Sequence, residues 1–139
     1  GEMARLLAVD ELPGDRIATA LEAAARWRTD LVLKGAYTVV AGPDGRAGVS
    51  PGANPALATA GTGDVLAGAI AAQIAQGLSA HEAARVGVVV HAIAGELARR
   101  RRGLGGVMAS DVADLLPEAA ELLRAGRDPW APERARIER

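Results

Sequence analysis

The chain has 139 residues and a formal net charge of −1; half of it is hydrophobic, only 2% is aromatic, and cysteine and phenylalanine are absent. This length suits one domain with a real core, which must be built from Ala, Val, Leu and Ile. The near-neutral charge disfavours general binding to nucleic acid or a membrane surface, and the lack of cysteine excludes disulfides and thiolate metal sites. We see no signal-like start and no apolar run of the roughly 18 residues that a membrane span needs, and we expect a cytoplasmic protein.

The first third of the chain predicts two helical segments followed by strands. A short helix or turn is expected around Leu6 and Leu7. Asp15 is a typical N-cap for a helix whose apolar residues recur three and four apart as far as Trp27, which we expect to pack against the core. Apolar runs then predict a strand at residues 30–35 and a neighbouring strand at residues 37–41. Turn residues predict a tight turn at residues 43–46, which leads into a further extended segment at residues 47–49.

Two long helices are predicted next. The first covers residues 65–76 and is closed by Gly77 in the C-cap position. Ser79 and Glu82 have the spacing of a capping box, which starts the second helix. This helix runs to about Arg100 and is apolar nearly all round its first turns, so we expect it to be central rather than on the surface.

The last part of the chain predicts a broken helical stretch and a tail. Ser110 and Asp111 are expected to cap the stretch, and Pro117 is expected to stand in the first turn of a new helix. The prolines and mixed charges of residues 127–139 predict a poorly ordered tail. Residues 1–126 are therefore expected to form one domain.

Several glycines lie close in sequence to a single carboxylate, at the point where a loop meets the helix predicted over residues 65–76. The first amides of a helix lack partners within it and lie at the positive end of its dipole. Gly61 and Gly63 would let a phosphate approach these amides closely, and the Thr62 hydroxyl would add a donor. Asp64 does not fit this pattern, because its carboxylate would compete with a bound anion for the positive end of the helix. It fits either an N-cap or a general base that deprotonates an attacking hydroxyl.

Other reactive side chains have ordinary explanations as well. Lys34, the only lysine, follows a strand, where it would contact a nucleotide phosphate or adenine, or simply be solvated. His91 lies in an apolar helix, which is more typical of a core residue than of a catalytic one, and its spacing from His81 does not fit a zinc site. The four arginines at 99–102 favour a solvated helix C-terminus over an anion patch. No Walker A, GxGxxG or nucleophile-elbow motif is present.

Several short segments, separated along the chain, resemble the motifs of one enzyme family. They are Gly-Glu-Met-Ala-Arg-Leu at 1–6, Leu-Lys-Gly-Ala-Tyr-Thr at 33–38, the run with Gly-Thr-Gly-Asp at 54–68, Ala-Gln-Gly-Leu at 75–78, His-Ala at 91–92 and Ala-Ser-Asp at 109–111. Over residues 1–116 the chain resembles the C-terminal half of the ADP-dependent (S)-NAD(P)H-hydrate dehydratases, which belong to the ribokinase-like superfamily. The Gly-Thr-Gly-Asp piece alone is shared with sugar and vitamin kinases of that superfamily.

This resemblance implies a fold and an activity. The fold would be the C-terminal portion of a three-layer α/β/α architecture, with Ala-rich helices flanking a mostly parallel sheet. The activity would be repair of nicotinamide nucleotides: the (S)-hydrate of NADH or NADPH is dehydrated while ADP is converted to AMP and phosphate. ADP or ATP would be the co-substrate, with Mg²⁺ assisting, and the protein would be a homo-oligomer, a tetramer.

The resemblance also implies roles for the residues that match the family motifs. Asp64 would contact the hydrate and act as general base, and the anion hole would consist of Gly61, Thr62 and Gly63. The AMP part of the nucleotide would lie against Gly63 and against Lys34, Gly35, Ala36, Tyr37 and Thr38. No residue of this chain is assigned to a protein-bound metal.

The chain departs from the family pattern at its start. Members of the family carry further strands and helices ahead of the Gly-Glu with which this sequence opens. We therefore expect the N-terminal half of the same protein, or a partner chain, to complete the sheet and the hydrate pocket. The 139 residues alone are expected to be inactive and poorly stable, with an uncovered sheet edge.

Two other functions stay open. One is a small-molecule kinase that uses Asp64 and ATP on a vitamin or sugar alcohol, and the other is a non-catalytic nucleotide-binding module. The run at residues 54–59 resembles the dehydratases more than the kinases.

Overall fold

The computed structural model describes residues 2–127 and Trp130, and the rest of the predicted tail at 127–139 lies outside the described residues. The elements are α1 Glu2–Leu7, α2 Arg16–Trp27, β1 Leu31–Leu33, β2 Val39–Ala41, β3 Ala47–Val49, a 3₁₀ helix Pro55–Ala58, α3 Thr62–Ala75, α4 Ala80–Arg102 and α5 Ala109–Arg124. None of the helices in the described part combines the length and hydropathy of a membrane span. The described residues divide into two compact units, residues 2–53 with 70–86 and residues 54–69 with those that follow residue 86.

The first unit is built on a three-stranded sheet in the order β1-β2-β3, against which α2 packs. Helix α2 begins where the Asp15 carboxylate accepts hydrogen bonds from the Ile17 and Ala18 amides, each at 2.9 Å, so the predicted N-cap is confirmed. Trp27 packs against the buried cluster, as predicted. That cluster consists of Met3, Ala20, Ala23, Ala24, Leu33, Val39 and Ala41. Small alanines on α2 let the helix approach the sheet closely.

Local signals place the boundaries of α3 and α4. Gly77 follows α3 with a φ of 98°, a left-handed conformation that glycine adopts without strain, which confirms the predicted C-cap. The Ser79 N–H donates to Glu82 Oε2 at 3.3 Å and the Glu82 N–H donates to Ser79 Oγ at 3.4 Å, so the predicted capping box is present. Most of α4 is buried beyond this point, including the fully buried Ile93 of the second unit, as expected for a central helix.

The direction of the strands corrects one expectation. The resemblance implied a mostly parallel sheet, but β1 pairs antiparallel with β2, and β2 pairs antiparallel with β3. The reason lies in the connections, because turns this short can join only antiparallel neighbours, whereas parallel strands need a long crossover.

Helix α5 also differs from its prediction. It is one continuous helix with Pro117 inside it, not two segments. It starts after Met108, whose N–H donates to Asp111 Oδ2 at 2.9 Å, so Ser110 is not the cap. The lost hydrogen bond at the proline is tolerated because α5 buries an apolar face, including Val112 and Leu115.

Candidate functional site

The loop before α3 is held by three side chains of the second unit. Asn54 caps the 3₁₀ helix, where its Oδ1 accepts the N–H of the second residue after it at 3.0 Å. Leu57 packs against Gly95 of α4, and a Cβ at that glycine would lie only 2.6 Å from the leucine side chain. Thr59 Oγ1 lies 3.0 Å from the carbonyl oxygen of Val107 and donates toward it. The glycine-rich segment that follows therefore starts from a fixed position.

Thr62 forms part of this frame. Helix α3 begins at Thr62, before the predicted start at Val65. The Thr62 side chain is buried, and its Oγ1 lies 2.7 Å from the Leu57 carbonyl oxygen and 2.8 Å from that of Thr59. A hydroxyl has a single proton to donate. In this structure the hydroxyl is used to tie α3 to the loop, and its predicted role as a donor for a bound anion stays a prediction.

Gly61 turns the chain into α3 in a left-handed conformation with a φ of 88°. A Cβ at this position would lie 3.1 Å from the Ala109 Cβ, so both the backbone and the available space favour glycine. Among the described residues the N–H groups of Gly61 and Gly63 have no hydrogen-bond acceptor, whereas the Asp64 N–H donates to the Gly61 carbonyl at 3.1 Å. Two free amides at the positive end of a helix are what an anion site requires.

Asp64 lies in the first turn of α3 with an exposed side chain. Its carboxylate has no hydrogen-bond or ion-pair partner within residues 2–127 and Trp130, so it does not cap the helix. Of the two interpretations, the general base fits this geometry better. An unpaired carboxylate beside two free amides is placed to accept a proton from a hydroxyl that attacks a phosphate held by those amides.

His91 of α4 contacts the first residue of α3. Its Nε2 lies 2.9 Å from the Thr62 carbonyl oxygen, and the residue is buried. Burial lowers the pKa of His91 below its ordinary value of 6.5, and the hydrogen bond to Thr62 offsets only part of this effect. The neutral ring must carry its proton on Nε2, because a carbonyl oxygen only accepts. The predicted core histidine is confirmed, but its partner was not predicted.

The turn between β1 and β2, residues 34–38, lies in the first unit and is shaped by Arg16 of α2. Arg16 Nη2 donates to the Lys34 carbonyl at 2.9 Å and to the Leu33 carbonyl at 3.3 Å. A Cβ at Gly35 would lie 2.5 Å from this nitrogen, so glycine permits the close approach. Sequence patterns missed Arg16, which in the sequence is only the residue after an N-cap.

The side chains of this turn face solvent for the most part. Those of Lys34, Ala36 and Tyr37 are exposed, as is Gly35, and that of Thr38 is half-buried. Lys34 Nζ lies 3.6 Å from a Glu2 carboxylate oxygen, but the two side chains are 51% and 77% exposed, so the ion pair is weak. The Thr38 N–H donates to Ser50 Oγ at 3.0 Å and anchors the end of the turn. The candidate nucleotide residues thus divide between the units, with the turn in the first and Gly63 in the second.

His81 is buried, although it lies in the first turn of α4. Its Nδ1 lies 2.9 Å from Asp30 Oδ1, so the imidazole is engaged in an ion pair or hydrogen bond within the first unit. Nowhere in the described part of the chain do three or more His, Asp or Glu side chains cluster in a way that could hold a metal ion.

The arginines at the end of α4 have carboxylate partners. Arg99 and Arg100 donate to the buried Glu96 at 2.8 Å and 2.7 Å. Burial by itself would raise the pKa of Glu96, but these hydrogen bonds outweigh it and hold the pKa below the ordinary range. Arg101 pairs with Glu118, and Arg102 also has a carboxylate within reach. This pairing favours the predicted helix terminus over an anion patch.

The family is decided by comparison with known proteins. A sequence model described as NAD(P)H-hydrate dehydratase matches residues 1–118. The chain belongs to the NAD(P)H-hydrate dehydratase family. A bifunctional NAD(P)H-hydrate repair enzyme of Thermofilum pendens is 48% identical over 126 residues, which cover 89% of this chain and 24% of that protein. An ADP-dependent (S)-NAD(P)H-hydrate dehydratase of Xanthomonas campestris is 41% identical over 91% of this chain and 44% of its own length.

A solved structure supports the same family. The ADP/ATP-dependent NAD(P)H-hydrate dehydratase from Bacillus subtilis, co-crystallised with ATP/Mg²⁺, matches with a TM-score of 0.80 and 36% identity over 87% of this chain and 44% of that one. The predicted family and its ribokinase-like α/β fold are thereby confirmed. The chain spans less than half the length of each of these relatives.

Proposed function

We propose that the natural protein carrying this sequence dehydrates the (S)-hydrate of NADH or NADPH while ADP is converted to AMP and phosphate. The observation that carries the proposal is the start of α3, where the amides of Gly61 and Gly63 and the neighbouring Asp64 carboxylate have no partner among the described residues. The family of the chain, and the names of its relatives from Xanthomonas campestris and Bacillus subtilis, support the choice of substrate.

In the proposed reaction the ring hydroxyl of the hydrate attacks the terminal phosphorus of the nucleotide. Asp64 accepts the hydroxyl proton as the new O–P bond forms, and the bond from phosphorus to the bridging oxygen breaks, which releases AMP from ADP. The amides of Gly61 and Gly63 donate to the phosphoryl oxygens and stabilise their charge. The bond from the ring carbon to the phosphate oxygen then breaks and the neighbouring ring carbon loses a proton to water, so that the double bond re-forms and phosphate and NADH or NADPH are released.

The nucleotide is proposed to lie against the turn at residues 34–38. The exposed Lys34 ammonium is available for a phosphate oxygen, and the Arg16 contacts hold the turn in shape. The B. subtilis relative is named as ADP/ATP-dependent, which supports either ADP or ATP as co-substrate. Mg²⁺ is proposed to arrive with the nucleotide, because such ions are commonly held by phosphates, waters and one or two carboxylates. The described residues contain no larger ligand cluster.

A cytoplasmic location is proposed from the sequence pattern alone, and the family resemblance implies a homo-oligomer, with four chains as the proposed state. Relatives extend well beyond the region that this chain matches, so we propose that residues outside it complete the hydrate pocket. Light scattering on the purified natural protein measures the number of chains directly.

The test is a coupled assay on the natural protein with an Asp64→Asn variant. NADPH-hydrate and ADP are supplied, and recovery of NADPH absorbance and release of AMP are both followed. Loss of the base is expected to lower kcat by about 100-fold or more. Asp114→Asn is the matched control, because Asp114 is also an exposed helical carboxylate with no partner within the described residues, and it should keep full activity.

Each outcome decides a separate point. If neither ADP nor ATP supports recovery of NADPH, but ATP phosphorylates a vitamin or sugar alcohol, the substrate assignment passes to the kinase alternative. If hydrate is converted at the wild-type rate by Asp64→Asn, the reaction stands and the role of the carboxylate is wrong.

A further inference from the structure

The His91 imidazole binds the carbonyl of the peptide group that also carries the Gly63 N–H. Its Nε2 lies 2.9 Å from the Thr62 carbonyl oxygen. Because a peptide group is planar and trans, the Thr62 C=O and the Gly63 N–H lie in one plane and point in opposite directions. A side chain that fixes the carbonyl therefore also fixes the direction of this free amide.

The imidazole has little freedom to leave this position. His91 is 8% exposed, and the residues that follow it on α4, Ala92, Ile93 and Ala94, are buried as well. The packed interior around the helix holds side chains in single conformations. The ring is neutral at neutral pH, so it orients the peptide without placing a fixed cation beside the phosphate site.

The Thr62 side chain contacts the loop that precedes α3. Its hydroxyl binds the carbonyls of Leu57 and Thr59, which precede it in the chain, and so fixes the entry of the loop. The imidazole fixes the first peptide group inside the helix. The two contacts together define the orientation of α3 at the point where its free amides are presented.

We propose that His91 is a positioning residue for phosphoryl transfer: by holding the Thr62–Gly63 peptide group, it aims the Gly63 N–H at the transferring phosphate. This inference rests on the proposed function, because it assigns a role within the same site. A histidine with a purely structural role would contribute to stability and leave the rate of the chemical step unchanged.

Three variants of the natural protein separate these roles. His91→Gln keeps an amide N–H close to the position of Nε2, and His91→Leu fills the space without a donor. His81→Leu removes the other buried histidine of α4, which contacts Asp30 instead of the α3 junction. It is the control for loss of stability.

With saturating NADPH-hydrate and ADP, His91→Leu is expected to lower kcat by about 10- to 100-fold, approaching the effect of deleting one anion-hole donor. The KM for ADP should change by less than about threefold, because the interaction is used in the transition state. His91→Gln should restore kcat to within about threefold of the wild type. His81→Leu should lower the melting temperature and keep kcat.

A second readout does not depend on turnover. The backbone amide resonance of Gly63 is followed by NMR while inorganic phosphate or ADP is added. It should shift in the wild type and in His91→Gln, and shift little in His91→Leu. If the wild type converts no hydrate, the proposed function fails, and this titration alone decides whether His91 positions the amide.

The inference is overturned if His91→Leu keeps its kcat, if the Gln and Leu variants are equally impaired, or if His81→Leu lowers kcat as much as His91→Leu. It is also overturned if the Gly63 resonance responds to phosphate in the same way in all variants. Should His91→Leu fail to fold, His91→Asn replaces it, because the shorter amide retains polarity but cannot reach the Thr62 carbonyl.

Discussion

Replacing Gly61 with alanine tests whether the turn into α3 is as constrained as the structure indicates. The backbone there has a φ of 88°, which residues with a Cβ avoid. The new Cβ would also lie 3.1 Å from the Ala109 Cβ, closer than an ordinary methyl contact. Both effects oppose the folded state, so Gly61→Ala should destabilise the protein.

The magnitude follows from adding the two costs. The left-handed backbone costs about 1–2 kcal/mol for an alanine, and relieving the close methyl contact adds up to about 1 kcal/mol. We therefore expect Gly61→Ala to lower the free energy of unfolding by about 1–3 kcal/mol. Adding Ala109→Gly to this variant should recover only the part of the lost stability that comes from the close methyl contact, since the backbone cost does not depend on that neighbour.

Urea unfolding of the natural protein measures the effect as a shift of the midpoint at constant m-value. Gly68→Ala is the control on the same helix, because its Cβ would have no neighbour within 4 Å and its φ is not positive. That change should stabilise the protein by about 0.5–1 kcal/mol, since alanine is the better helix former. A Gly61→Ala variant as stable as the wild type would refute the reasoning, and so would a destabilised Gly68→Ala.

Gly35→Ala should raise the KM for ADP by about fivefold and destabilise the protein by about 1 kcal/mol, because its Cβ would displace the end of the Arg16 side chain and cost one or two hydrogen bonds. Gly48→Ala, whose Cβ would meet nothing within 4 Å, should leave the KM unchanged, and an unchanged KM in both variants would contradict this account of the turn. Stability should fall as the pH drops below about 6.5, because burial holds the pKa of His91 below that value and the unfolded chain then binds the proton more readily. The urea midpoint should fall less between about pH 7.5 and about pH 5.5 in His91→Gln than in the wild type. An equal fall in the two proteins would show that His91 does not contribute to the loss of stability at low pH.

Local chemistry predicted those features that depend on neighbouring residues. The Asp15 cap, the glycine after α3 and the Ser79–Glu82 capping box each involve groups within four positions of one another, and all three are present. The chain order of the motifs indicated the family, and the comparisons confirm it. The resemblance was less reliable for detail, since it implied parallel strands where short turns impose antiparallel pairing.

The candidate site was predicted in part. The sequence indicated a loop-to-helix junction, glycines at 61 and 63, and one carboxylate at Asp64, because these depend on local conformation and helix ends. It could not indicate that the Thr62 hydroxyl turns inward, since that depends on which carbonyls the loop brings near it. The local pattern left the general-base and cap interpretations of Asp64 open, and the resemblance implied the base. The structure argues against the cap, because the carboxylate has no partner among the described residues, and the role as base stays a prediction.

By itself, the sequence indicated the family, most of the helices and strands, and the loop-to-helix junction before α3, all of which are encoded in contiguous segments. Only the tertiary structure decided which side chains hold that junction and the strand turn. Arg16 binds a carbonyl 18 positions away, His91 one 29 positions away and Thr59 one 48 positions away. Contacts at such separations follow from how the elements pack, so no local pattern of residue types specifies them.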